Sequence, residues 1–334
     1  MARTMQIASD QRTLRTTPPA QKRTQANLRA SSETALETQK RRRITRASSP
    51  NKGIIVLADF SRNTGLAQVG EFEWSSFTDL GNPQCCKVIC CQPKDASRTI
   101  LWSCSAAGTF VETKKGTEEN TVFHFWNALF GNRATIFSTT GNKYDRWMDG
   151  ISGEIHVNIV ASLHADLSKE NNPLITNPED AVKLKIENQE IWVSKKELTF
   201  HSHYFDVLFN GDFKEKAEDS YELKDVKLED FLLLLGIVHG LTMPINERSV
   251  EGLLKLGDFF QLKPVLDRCS EFLKHADIKP LDKLELALQF KLGSTLTDII
   301  AAMKVEELKN ICVRYDFPDF ARDLMLMKLC LKEF

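Results

Sequence analysis

The residues of this 334-residue chain most able to do chemistry are its cysteines and histidines, and their spacing argues against most of what they could do. Cys85-Cys86-Lys87-Val88-Ile89-Cys90-Cys91 is the one cluster dense enough to suggest a metal. A structural zinc site usually needs two ligand pairs at close spacing, and no second Cys/His pair stands at a suitable distance. Adjacent cysteines on a strand also point to opposite faces. Small packed thiols therefore fit the cluster better than a metal does. His201 and His203 stand two apart on a predicted helix, which turns them to different faces and suits packing or surface roles. No Gly-rich phosphate loop, His-Glu-x-x-His or Gly-x-Ser-x-Gly motif occurs. The expectation is a protein with no catalytic residues, no metal and no cofactor.

A second feature is electrostatic. Residues 1–52 hold 12 Lys and Arg against 3 Asp and Glu, whereas the rest of the chain holds 32 against 42. The basic segment contains no Phe, Tyr, Trp or Val. It has too little apolar surface to offset the entropy of ordering, so a disordered basic tail is predicted over 1–52. Lys40, Arg41, Arg42 and Arg43 form its densest cluster. Such a run serves as a nuclear import signal or a phosphate-binding arm, and equally as a solubilising tail. An acid-poor, Arg-rich N-terminus also fits a mitochondrial presequence, although the helical apolar face expected there is weak. The first residues lack a secretory apolar core, and the longest apolar run, around Phe231–Leu235, is too short to span a bilayer. Eight cysteines in a chain this long read as reduced thiols of the nucleus or cytoplasm.

These groups must be positioned by at least two cores. Residues 53–165 present short apolar runs between turn signals: Ile54–Leu57, Lys87–Ile89, Thr99–Trp102 and Thr135–Phe137. A closing segment alternates Ile155, Val157 and Ile159 against His156 and Asn158. Many short strands at this spacing predict an all-β sandwich or barrel. Residues 166–179, with Asn171-Asn172-Pro173 and Asn177-Pro178, read as a linker. Val182, Leu184 and Ile186 then alternate with lysines, and Ile191-Trp192-Val193 returns as a hairpin partner. A lone hairpin is marginal in water, so helices must cover it. One is predicted over Lys196–Leu208 and another over Glu229–Val238, the latter apolar almost all round and hence buried. Leu253, Leu256, Phe259 and Phe260 recur at helical spacing, and Pro264 opens a further helix with Val265, Leu266, Cys269, Phe272 and Leu273 on one stripe. Residues 278–334 read as short helices, with Gly293 as a helix stop.

The order hairpin, helix pair, strand, buried helix, helix pair resembles the BTB (POZ) fold over 180–277. The resemblance rests on Asp180-Ala-Val-Lys-Leu-Lys-Ile186, on Trp192–Leu198 followed by His201-Ser202-His203-Tyr204-Phe205, on Tyr221–Val226, and on Leu253-Leu254-Lys255-Leu256-Gly257-Asp258. Ser194 stands where many members have His, and Val193-Ser194-Lys195 is similar to divergent nematode BTB proteins. Phe72, Trp74, Ile100-Leu101-Trp102 and Glu154–Val160 make the preceding β-domain resemble a MATH (TRAF-like) sandwich. The last helices, 278–334, resemble a short BACK-type extension. The implied architecture is multi-domain: a disordered basic tail, an all-β sandwich, an α/β BTB/POZ domain and a short all-α extension.

That resemblance implies a protein-interaction adaptor. Its partners would be a type-3 cullin bound by the BTB domain, a protein substrate held by the sandwich, and a second copy of the chain. Phe213-Lys214-Glu215 sits where cullin-binding members carry a hydrophobic–x–Glu triplet, so Phe213 and Glu215 are the expected cullin anchor. Dimerisation would involve Asp180 and the helix bearing Leu198 and Phe205. Two rival readings stay open. One is a nuclear regulatory factor recruiting co-repressors, although no DNA-reading motif follows the BTB segment and a tail alone gives mostly non-specific phosphate binding. The other is an oligomeric scaffold without cullin affinity.

Overall fold

The computed structural model describes residues 52–57, 65–79, 86–95, 97–114, 120–139, 151–211 and 220–331. The predicted disordered stretch lies outside the described residues up to position 51. The N-terminal strands are β1 (Lys52–Leu57), β2 (Gly65–Val69), β3 (Phe72–Asp79), β4 (Cys86–Pro93), β5 (Ile100–Lys114), β6 (Asn120–Gly131), β7 (Ile136–Thr139) and β8 (Ile151–Asp166). They form two antiparallel sheets, β1-β8-β5-β6 and β2-β3-β4-β7, packed as a sandwich. The alternation read in the closing segment holds: Ile155, Val157 and Ile159 are buried between the sheets, while Asn158 is exposed and His156 half-buried. Aromatic residues fill the middle, with Trp74 edge-on to Phe130 at 5.3 Å and Phe72 5.7 Å from Trp102.

A single 3-10 turn at Pro178–Asp180 leads into β9 (Ala181–Ile186) and β10 (Gln189–Ser194). Glu187 and Asn188 join these strands with φ of +47° and +64°. Positive φ at both central residues matches the right-handed twist of a two-residue hairpin. The helix predicted over Lys196–Leu208 is instead two helices, α1 (Lys195–His201) and α2 (His203–Asn210). The reason is Ser202, which is extended (φ −141°) and serves both helices as a cap. Its Oγ accepts from Phe205 N–H and donates to the Phe260 carbonyl at 2.6 Å, so the corner is pinned in the interior. The short strand β11 (Ser220–Glu222) pairs parallel to β9. Then come α3 (Leu228–Val238), α4 (Val250–Phe259) and α5 (Lys263–His275). Every residue of α3 but Glu229 is buried, as its all-round apolarity predicts.

The C-terminal helices α6 (Pro280–Gln289), α7 (Gly293–Ala302), α8 (Val305–Arg314) and α9 (Asp319–Leu331) enclose a second, smaller helical core around Leu284, Leu296, Ile300, Leu308 and Met325. Gly293 does not stop a helix; it opens α7. The stop is Lys291, in the left-handed region at φ +54°. Lys291 N–H bonds the Leu288 carbonyl and Leu292 N–H bonds the Ala287 carbonyl, which is a Schellman closure. The same closure ends α3 at Gly240 and α4 at Gln261, in each case with a leucine next: Leu241, Leu262 and Leu292.

The β-sandwich does not hang on a tether. Leu101 and Ala165 of its sheet, with Leu167 just past β8, belong to the same apolar cluster as α3, α4 and the β9–β10 hairpin. Residues 166–179, predicted as a linker, run as successive turns bonded to what they connect. Trp192 N–H donates to the Leu167 carbonyl at 2.7 Å, and buried Asn172 donates to the Trp192 carbonyl at 3.1 Å.

Candidate interaction surfaces

On the helical module the question is which side chains the α1–α2 corner turns outward. Ser194 Oγ caps α1 by accepting from Glu197 N–H at 3.3 Å, and Ser202 starts α2. With both ends set, Leu198 and Phe205 fall wholly inside the domain, and Phe205 stacks on Phe260 at 4.8 Å. The two side chains expected to pair copies therefore build the domain's own core, while Asp180 is partly exposed in its turn. The exposed apolar residues on these helices are Phe200, at 72%, and Val207; exposed Phe259 of α4 lies 5.4 Å from Tyr204 of α2. Reading one continuous helix hid this, because the break at Ser202 resets the phase of the apolar stripe.

Phe213 and Glu215 lie in 212–219, outside the described residues. The ends of that segment are held: Gly211 N–H bonds the Val207 carbonyl at 2.8 Å, and Ser220 registers with Lys183 of β9. Lys40, Arg41, Arg42 and Arg43 also lie outside the described residues.

In the sandwich, Phe72, Trp74 and Trp102, which carry the resemblance, are core residues and present no ligand surface. The exposed aromatic is one that the sequence reading missed, Trp126, at 71%. β6 is an edge strand of its sheet, and its pairing with β5 slips between Ala106 and Gly108, so that Trp126 and Asn127 together stand opposite Ala107 in a bulge. Asn127 takes φ +55° there. Gly108 makes room, since a Cβ at that position would collide with the Phe125 ring and the His156 carbonyl. Bulges at sheet edges re-aim side chains. Here the indole stacks on His124 at 6.2 Å, and exposed Val122 lies along the same strand. The usable signal was Phe123-x-Phe125 pointing inward with Trp126 immediately after, a break in the period of two. An edge strand bearing an open aromatic can take up an extended peptide through its backbone and its ring.

The cysteines divide as adjacent strand residues should. Cys91 is buried between the sheets against Cys104, and Cys90 faces the other way toward Ser75. Burial pushes both thiols above the ordinary cysteine value, most strongly at Cys91, so they stay protonated. Cys85, and the side chain of Cys86, lie outside the described residues. His201 ends α1 and His203 begins α2, so they sit on two helices rather than on two faces of one. Among the described residues no group of three or more His, Cys, Asp or Glu is placed to hold a metal. No helix among them is long and apolar enough to cross a membrane.

Residues 180–277 match the BTB/POZ domain family. BTB and MATH domain-containing protein 38 of Caenorhabditis elegans is 29% identical over 248 residues, covering 67% of this chain and 62% of the relative. BTB and MATH domain-containing protein 36 of the same organism is 26% identical over 263 residues, 72% of this chain and 81% of the relative. Kelch-like protein 26 of Homo sapiens is 28% identical over 138 residues, 41% of this chain and 22% of the relative. The chain thus spans under two thirds of the first relative's length. Both nematode matches are far longer than the BTB segment, consistent with a MATH-like sandwich ahead of it. The chain therefore carries a BTB/POZ domain at 180–277, behind a β-sandwich.

Proposed function

We propose that this chain is a substrate adaptor of a type-3 cullin ubiquitin ligase. The BTB domain docks the cullin through Phe213 and Glu215 and pairs with a second copy through the α1–α2 surface. The sandwich holds a protein target, with Trp126 as its exposed anchor, and the ligation chemistry belongs to the partners. The protein works in the nucleus, the cytoplasm or both, with Lys40–Arg43 as the import signal. The observation that carries this reading is the combination, in one chain, of a BTB domain with a sandwich whose edge strand exposes an aromatic ring. An adaptor needs two such binding faces and no reactive group.

The test is titration of the purified chain against a cullin N-terminal region. Binding at about 1–10 μM or tighter supports the adaptor, since a hot-spot interface of this kind supplies about 7–8 kcal/mol. Binding no tighter than about 1 mM sinks it and leaves an oligomeric scaffold in front.

A further inference from the structure

The turn between β6 and β7 meets the helical module through a constellation of polar groups. Asn132 braces the turn from inside: its Oδ1 accepts from Trp102 N–H at 2.9 Å and its Nδ2 donates to the Ile100 carbonyl at 2.8 Å. Arg133, next along, takes φ +66° and extends its guanidinium to the Asp230 carboxylate in the first turn of α3. Glu229 lies 3.6 Å away, and the Arg248 carbonyl accepts from the same guanidinium at 3.4 Å. Asn246 Nδ2 donates to the Arg133 carbonyl at 3.3 Å, so the residue is held at both its backbone and its side chain. Both sides are shaped for the contact. A Cβ at Gly252 of α4 would collide with the Asp230 carboxylate, and a Cβ at Gly131 would crowd Pro244 at 3.0 Å.

We propose that the sandwich and the helical module move as one body, and that the Arg133–Asp230 bond sets the bearing of one on the other. Two further attachments stand apart from that bond. One is the apolar seat of Leu101, Ala165 and Leu167, with its Leu167–Trp192 hydrogen bond. The other is Arg98 on Glu187, at 2.9 Å. Three separated attachments block rotation about any axis, whereas an apolar seat alone is non-directional and permits sliding. Burial of the Asp230 carboxylate offsets much of its attraction to Arg133, so the pair's value lies in direction more than in net stability. The consequence is that anything bound at Trp126 faces a fixed direction relative to the BTB surface. The inference does not depend on which partner the BTB domain binds.

Hydrogen exchange and small-angle scattering of the full chain test it, with Arg133→Gly and Asp230→Asn as variants. Glycine keeps the positive φ while deleting the side chain, so the turn survives. In the wild type, scattering fits one arrangement and the Trp192 amide exchanges slowly. In both variants the maximum dimension lengthens and exchange at Trp192 rises by about tenfold or more, while exchange inside β3 and β8 stays unchanged. Wild-type scattering and exchange in both variants would make the pair an incidental ion pair and overturn the proposal. Scattering of the wild type as two independently placed bodies would overturn it as well.

Discussion

Phe213 and Glu215 are the residues on which the cullin reading depends. Phe213→Ala should remove an aromatic from a desolvated pocket and cost roughly 2–4 kcal/mol of binding. That is a loss of about 30- to 1000-fold in affinity. Glu215→Lys should weaken binding at least as much, because a cation would replace a charge-matched acceptor. Titration against the cullin region with melting curves alongside checks both: a lowered melting temperature with unchanged affinity would assign Phe213 to local packing. Asp230 carries a pH prediction of unusual sign. Burial, opposed by Arg133 and Lys227, holds its carboxyl above the usual aspartate value. The native state then binds this proton more readily than the unfolded chain does. The group's contribution is therefore fully present below the unfolded aspartate pKa and is lost as pH rises through the raised value. In urea unfolding of wild type and Asp230→Asn, the stability difference should move in favour of the wild type as pH falls from about 7 to about 4.5. A difference constant with pH would contradict this.

At the scale of elements, the helix ends are the most informative feature. Schellman closures end α3, α4 and α6, but only α3 uses glycine at the left-handed residue; α4 uses Gln261 and α6 uses Lys291. A left-handed conformation strains an L-residue with a Cβ, although glycine would cost some unfolded-state entropy. Gln261→Gly and Lys291→Gly should each stabilise by about 0.5–1 kcal/mol in urea titrations. Destabilisation by either would mean that the side chain contributes more than its backbone conformation costs. The same motif explains why Gly293 misleads as a stop: the sequence offers a glycine two residues past the position that needs the unusual φ. The turn at Glu187-Asn188 shows the opposite case, where two ordinary residues adopt positive φ because the hairpin geometry requires it.

At the scale of the molecule, self-association depends on what the α1–α2 corner exposes. Leu198 and Phe205 are interior, so substituting them would unfold the domain before it tested pairing. Phe200 is the usable probe. At tens of micromolar, by about the range where weak interfaces form dimers, sedimentation should find self-association in the wild type and monomer in Phe200→Asp. The melting temperature of the monomer should be nearly unchanged, since exposed positions rarely alter stability by more than about 0.5 kcal/mol. A wild type that stays monomeric removes the pairing claim. Replacing Lys40–Arg43 by alanines should move the protein from nucleus to cytoplasm, as seen by microscopy in living cells. Unchanged location would return the cluster to a solubilising role.

Periodicity was enough to determine the element types and much of the core. The alternation of Val182, Leu184 and Ile186, the near all-round apolarity of Glu229–Val238 and the stripe after Pro264 each required one kind of element and set which side chains are buried, because a side chain's face follows from the repeat of its own backbone. Exposure at Phe200 and Trp126 was decided only in the folded chain. Both depend on a local break in that repeat, at the Ser202 cap and at the β6 bulge; the run Phe123–Trp126 signals the second break, but the direction in which the ring then points is set only by the bulge itself. Tertiary structure also decided that the predicted linker is a strap and that Arg133 finds Asp230. Those partners lie 97 positions apart, and no local pattern brings them together. Contacts between separately patterned segments arise from the shape of two finished surfaces, which exists only once each has folded.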